Sequence, residues 1–326
     1  MSAFTEANRR AFDDLSSEYD SKPWRLRMSK QIAEALEERK DWIGLRWAQP
    51  DDLQYGRETR LLDYACGTGS ITRALGPWVT HIRGIDISEN MVQKYNETAQ
   101  SSGLTSEQAN AVVGDLLAEE VPSHLTTEEY YNFDIAVIGL GFHHFENPML
   151  AIQRLTERLK PGTGVLLIID FLPFDPEQEG PQGAVKHTIK HGGFARTNME
   201  KMYEKAGLEN FSFSVLEEPA VMETKHGGTN KRDVFIARGR REPTKWGKVV
   251  DWFWSMQHVA TDQFQIEPRE EVPKEFNLVG GHVKGLNEGE LEFGNIGSQH
   301  IAPKSGWSGL ATERVRDQPK PVWKML

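Results

Sequence analysis

Arg60-Leu-Leu-Asp63-Tyr-Ala65-Cys66-Gly67-Thr-Gly69-Ser-Ile-Thr72-Arg-Ala-Leu75, followed downstream by Gly84-Ile-Asp86-Ile87-Ser88, decides the fold of this chain. The stretch reads as strand, glycine loop, helix, second strand and an acid at that strand's tip. The apolar run closing at Asp63 has the length of a buried strand. Gly67 and Gly69 allow the next turn to bend sharply and to bring backbone against a ligand. Asp86, at the end of the neighbouring strand, can accept hydrogen bonds from both hydroxyls of a ribose. The pattern points to a nucleoside site.

The loop's detail narrows the nucleoside. A dinucleotide loop takes Gly-x-Gly-x-x-Gly, the last glycine allowing close helix packing; here that position is Thr72. Asp63 at the strand end suits an ammonium group better than a diphosphate, by simple Coulomb attraction. S-adenosylmethionine carries that ammonium.

Asp63-x-Ala65-x-Gly67-x-Gly69, with Asp86 and Asp115, resembles the class I S-adenosylmethionine-dependent methyltransferases, and within them the small-molecule branch of ubiquinone/menaquinone-type enzymes. The resemblance covers roughly residues 8–240, and Ala65 stands where the fullest pattern has glycine. It implies an α/β fold: a doubly wound, mostly parallel seven-stranded sheet of order 3-2-1-4-5-7-6 whose last strand is antiparallel. It also implies S-adenosyl-L-methionine as cofactor, with S-adenosyl-L-homocysteine as product. Carried over residue by residue, Asp86 holds the ribose and Asp115 the adenine amine, with Leu116 beside the ring. Asp63 orients the loop and meets the methionine ammonium. Tyr19, Ala65, Gly67, Gly69, Ile87, Met91 and Leu140 complete the cofactor set, although Met91 also reads as a core residue and Asp115 as a loop aspartate.

Composition bounds the rest. With 326 residues, 38% hydrophobic and 26% charged, the chain can bury one large core with an appendage. A net charge of −10 argues against nucleic acid, whose phosphates call for clustered Lys and Arg. Cys66 is the only cysteine, which removes an internal disulfide framework; its place in the loop asks for a small packing residue rather than a nucleophile. No apolar run is long enough to span a bilayer, and the N-terminus lacks an apolar signal core, so a cytoplasmic location is expected.

Along the chain, residues 1–58 read as lid helices, with Phe12, Leu15 and Tyr19 on one helical face and Ile32, Leu36 and Ile43 on another. Residues 59–242 read as the cofactor-binding domain. Strands are expected at 60–65, 80–87, 110–114, 133–140 and 163–171, and helices near 69–77, 89–102, 147–159 and 194–206. Two antiparallel strands follow at 211–221 and 232–238. Asp134-Ile-Ala-Val-Ile and Gly164-Val-Leu-Leu-Ile-Ile are apolar on both faces, as in a parallel sheet covered by helices. Residues 243–326 form a Gly-rich extension carrying Trp246, Trp252, Trp254, Trp307 and Trp323, with one helical stretch near 246–259. Aromatics in such a segment dock onto this domain, another copy or a protein partner.

Strand 4 runs into Gly139-Leu140-Gly141-Phe-His143-His144-Phe-Glu-Asn-Pro148, the reacting end of the pocket by the switch-point rule. A histidine there can take a proton from a phenol, enol or acid. His143 and His144 are therefore the catalytic candidates, with His187 and His191 as rivals. Adjacent histidines do not readily chelate one ion, and no Cys-x-x-Cys or His-Glu-x-x-His pattern occurs, so no metal is expected. The leading function is methyl transfer to a small-molecule acceptor. A protein methyltransferase, or a regulatory protein of this fold acting through a partner, is the alternative. A nicotinamide-dependent oxidoreductase is the third reading, weakened by Thr72.

Overall fold

In the computed structural model, residues 1–175, 186–224 and 226–244 are described. The expected helix near 246–259, the tryptophan-bearing extension and residues 176–185 lie outside them.

The apolar runs become strands β1 (Arg60–Tyr64), β2 (His81–Asp86), β3 (Ala109–Val113), β4 (Ile135–Gly139) and β5 (Val165–Phe171). They are followed by β6 (Leu208–Val215), β7 (Ala220–Glu223), β8 (Thr229–Arg232) and β9 (Val234–Arg241). Helices α1 (Ala3–Leu15), α2 (Pro23–Glu38) and α3 (Lys40–Ile43) precede the sheet; α4 (Ser70–Leu75), α5 (Glu89–Ser101), α6 (Pro148–Thr156) and α7 (Arg196–Lys205) alternate with its strands. Seven strands form one sheet of order β3-β2-β1-β4-β5-β9-β6. The first five run parallel, and β9 enters antiparallel between β5 and β6. Counting only these seven strands, this is the order 3-2-1-4-5-7-6, a doubly wound Rossmann-like fold.

Both faces of the sheet are covered, which is why its central strands carry no polar alternation. In β5, Val165, Leu167 and Ile169 join the core under α2, α4 and α5 with Trp24, Leu36, Ile71 and Tyr95. Leu166 and Ile168 join the opposite core with Ile152, Leu155, Met199 and Tyr203 of α6 and α7. Helix starts follow their capping chemistry. Ser88 Oγ accepts from the Met91 amide at 3.1 Å, and Asn147 Oδ1 accepts from the Leu150 amide at 3.0 Å ahead of Pro148.

The C-terminal strands differ from the expectation. The stretch 211–221, read as one strand, breaks after Val215, and β7 leaves the main sheet to pair with β8 as a separate hairpin. Pro219 has no amide to give a ladder, and the polar run Glu217-Glu218-Pro219 lets the chain turn away. The stretch 232–238 divides likewise, β8 ending at Arg232 and β9 beginning at Val234. Val234 pairs with Phe171, so Arg232 is delivered to the carboxyl end of β5.

Helix α4 packs onto β4 without clearance. A Cβ placed on Gly139 would lie 2.3 Å from Ile71 Cγ1. Ile71 is β-branched and stiff, so Gly139→Ala is expected to destabilise the fold by about 1–3 kcal/mol, read from the chemical-denaturation midpoint.

Candidate active site

The site is assembled at the carboxyl ends of β1, β2, β3, β4 and β5. Asp63, the fourth residue of β1, is 1% exposed. Its Oδ2 accepts from the Thr72 amide at 3.2 Å and the Thr72 hydroxyl at 2.7 Å, tying the first turn of α4 to the strand. The glycine loop between them is left-handed at Ala65, Gly67 and Gly69, with φ of 56°, 50° and 87°. At Gly69 a side chain is barred twice, by that φ and by the Tyr95 ring 3.0 Å from where a Cβ would stand. Ala65 bears its left-handed φ as a non-glycine residue, as does Leu140 at φ 58° just beyond β4. Strain of this kind gathers where backbone is shaped for a ligand. The two loops meet there, since a Cβ on Gly141 would lie 3.0 Å from Ala65 Cβ.

Asp86 ends β2 and is 7% exposed. One oxygen accepts from the Gly67 amide at 2.8 Å and the other from the Ser88 amide at 2.9 Å. It braces the glycine loop and, with the Ile87 amide also turned toward it, keeps some acceptor capacity beyond these bonds. Asp115, beyond β3, accepts from the Tyr64 hydroxyl at 3.1 Å and the Leu117 amide at 2.8 Å. Leu116 is wholly buried in the core beneath α6 and α7, so its amide, bonded to the Tyr64 hydroxyl, is the part fixed at the site. Met91 is buried in the first turn of α5, while Ile87 and Leu140 are partly exposed. Acids converging at three neighbouring strand ends suit hydroxyl, amine and ammonium donors, so the donor set fits S-adenosylmethionine better than a diphosphate.

Burial raises the Asp63 carboxyl from 3.8 to about 7, against the Thr72 hydrogen bonds that lower it. The sign of the consequence is definite. Between about pH 4 and pH 7 the folded chain keeps a proton that the unfolded chain releases, so stability falls with rising pH across that window. Asp63→Asn removes this dependence. Its stability relative to the wild type is expected to rise on the order of 3 kcal/mol from pH 4 to pH 8, measured by denaturant titrations at each pH.

The strand-4 turn brings both candidate histidines to the site. His143, 5% exposed, is held by Asp170 in β5. The His143 amide donates to Asp170 Oδ2 at 3.0 Å, and the Nδ1–H lies 2.8 Å from Oδ1 and 3.1 Å from Oδ2. Since a carboxylate only accepts here, Nδ1 carries the proton and Nε2 is the basic nitrogen. His144 donates Nδ1–H to the Thr188 carbonyl at 2.7 Å. Burial, and then the neighbouring His143, hold its pKa well below the usual histidine range, so it stays neutral. The two rings lie 4.1 Å apart. The rivals differ: His187 is exposed, and His191 contacts the site through its amide, which donates to the His143 carbonyl at 3.0 Å. Asp170 was not among the candidates. Its sequence signal is a lone carboxylate in the otherwise apolar run Val165–Phe171, which a fully buried strand tolerates only with donors supplied.

Helix α1 lies across both halves. Asp13 accepts from Ser88 Oγ at 2.6 Å, and its carbonyl from Asn90 Nδ2 at 3.2 Å, at the β2–α5 side. Phe12 meets the His144 ring edge-on at 5.2 Å, and Asn8 Nδ2 donates to the His144 carbonyl at 3.3 Å, at the β4 side. Beyond α1, Asp20 accepts from Thr68 in the glycine loop at 3.1 Å, next to the partly buried Tyr19, whose ring carries the Arg25 guanidinium at 4.2 Å.

Comparison with known proteins bears on the family and the fold. An uncharacterized methyltransferase of Schizosaccharomyces pombe is 30% identical over 154 residues, covering 46% of this chain and 53% of that protein. The demethylmenaquinone methyltransferase of Staphylococcus aureus is 30% identical over 167 residues, 50% of this chain and 60% of that protein. The chain thus spans a little over half the length of these curated relatives. The solved structure of a SAM-dependent methyltransferase from Anabaena variabilis superposes with a TM-score of 0.52 at 17% identity, covering 74% of this chain and 96% of its own, and shows the same fold. A family profile described as a methyltransferase domain matches residues 21–212, well over half of the chain. The chain belongs to that methyltransferase-domain family, among the class I S-adenosylmethionine-dependent methyltransferases.

Proposed function

We propose that this protein methylates a small molecule at an oxygen, nitrogen or carbon whose proton is removed by His143. The observation that carries the proposal is the buried His143–Asp170 pair, 2.8 Å between Nδ1 and Oδ1, at the strand ends beside the glycine loop. S-adenosylmethionine, when bound, supplies an electrophilic methyl group. The residues of the chain do the remainder. Asp86 and Asp115 offer acceptors to ribose hydroxyls and adenine amine, and Asp63, raised by burial to about 7, offers the ammonium an acceptor whose ionised form a bound cation favours. Tyr19, Ala65, Gly67, Gly69, Ile87, Met91, Leu116 and Leu140 form the rest of the cradle. In this reading residues 1–58 act as the lid and 59–242 as the catalytic domain.

His143 takes the acceptor's proton at Nε2, and Asp170 offsets the positive charge that the imidazole then carries. A base of this kind contributes about 10²–10⁴-fold, while alignment of the acceptor contributes more, roughly 7–11 kcal/mol. His144, neutral and bound to Thr188, positions the turn and the lid helix through Asn8 and Phe12. The named activity of the staphylococcal relative supports a small acceptor. Among the described residues no helix is long and apolar enough to cross a membrane. Incubation with methyl-tritiated S-adenosylmethionine and a panel of phenols, quinols and amines tests the proposal. Label is expected in a solvent-extractable product, and label retained on a protein band instead would overturn it.

A further inference from the structure

Arg232 is a buried cation with no ion pair among the described residues. It is 6% exposed, and among the described residues no carboxylate or carbonyl accepts a hydrogen bond from it; its Nε is enclosed and unpartnered. Asp170 lies near enough to act on its charge, yet both Asp170 oxygens are already taken by His143 and by the Phe171 amide at 2.7 Å. Arginine does not shed its charge, so burial of an unpaired guanidinium is costly unless an anion arrives to meet it. Among the described residues the contacts of Arg232 include two aromatic faces. The guanidinium carbon sits 3.7 Å from the Phe174 ring centre and 5.3 Å from that of Phe171. Those rings are in turn 6.3 Å and 5.5 Å from the His143 ring. The β7–β8 hairpin thus brings a cation to the same aromatic cluster that walls the proposed base.

We infer that Arg232 binds a carboxylate on the methyl acceptor, making the acceptor a hydroxy acid whose carboxylate meets the guanidinium beside Phe174 and whose hydroxyl meets His143. The inference rests on the function proposed above and adds the acceptor's charge to it. Arg232 is a specificity residue here: it recognises an anionic group apart from the reacting atom. Guanidinium and carboxylate form a charge-assisted, forked pair, which a neutral amide of the same shape cannot match.

The test is calorimetric, on the full chain saturated with S-adenosylhomocysteine, using 2-, 3- and 4-hydroxybenzoate against the matching hydroxybenzamides. At least one acid is expected to bind about tenfold or more tightly than its amide, equivalent to about 1.4 kcal/mol. Arg232→Met keeps a flexible apolar stem against Phe174 and is expected to cut that preference to about twofold or less, with Arg232→Lys retaining part of it. S-adenosylhomocysteine affinity should be unchanged in both variants, which also reports that they fold. Equal binding of acids and amides by the wild type, no binding of either, or an undiminished preference in Arg232→Met overturns the inference. Should Arg232→Met fail to fold, the wild-type ratio and Arg232→Gln decide. Failure of the wild type to bind S-adenosylhomocysteine would count against the methyltransferase reading instead, and the acid-to-amide ratio measured without it would still judge Arg232.

Discussion

Asp170→Asn lowers turnover by about 10²–10⁴-fold while leaving S-adenosylhomocysteine affinity within about twofold. The reason is the direction of one hydrogen bond. Asp170 can only accept, so it holds the His143 proton on Nδ1 and exposes Nε2 as a base. An amide at this position can turn its NH2 toward Nδ1, moving the proton to Nε2, and the histidine then donates where it should accept. His143→Gln should fall to a similar level. The double variant should be no worse than either single one, because the pair acts as a unit. The side chain of Asp170 also anchors the amides of His143 and Phe171, so a thermal melt must accompany the kinetics. Full turnover in Asp170→Asn with an unchanged pH profile would remove the base from the mechanism and leave alignment alone.

Asp86→Ala is the second large effect, and it falls on binding. The carboxylate braces the Gly67 and Ser88 amides and is proposed to receive the ribose hydroxyls. Loss of two hydrogen bonds to a charged group, each about 1.5–3 kcal/mol, weakens S-adenosylhomocysteine binding by about 10²–10⁴-fold. Asp86→Asn keeps one oxygen and should fall between the two. An unaltered dissociation constant in Asp86→Ala, measured by calorimetry, would displace the adenosyl site from the tip of β2.

The parts of this protein that could be read in its sequence are those specified locally. The expected strand 60–65 became β1, Arg60–Tyr64, and 80–87 became β2, His81–Asp86, because apolar runs bounded by glycine and acid leave little freedom of register. The expected helix near 89–102 became α5, Glu89–Ser101, with Ser88 as its cap. The strand order came from the family resemblance, since no local feature says that β9 slips between β5 and β6. What escaped depends on distant partners. Thr229-Asn-Lys-Arg232 is too polar and too short to announce a strand, and it forms one because β7 lies opposite. Asp170 gave a signal in its apolar surroundings, but the identity of its partner is a tertiary fact joining β5 to the turn after β4. Arg232 gave none at all, since a surface-like tetrapeptide conceals a side chain that ends among phenylalanines. The cofactor residues were marked out by motif.

Helix α1 grips the molecule at two places, through Asp13 to the start of α5 and through Asn8 and Phe12 to the turn beyond β4. In the proposed enzyme those places flank the nucleoside and the acceptor respectively. One rod held to both sides of the crevice cannot admit one molecule while staying shut on the other. If α1 is the lid of that enzyme, traffic in and out of the crevice shares a single doorway, and the pace of product exchange is coupled to how often the rod lets go.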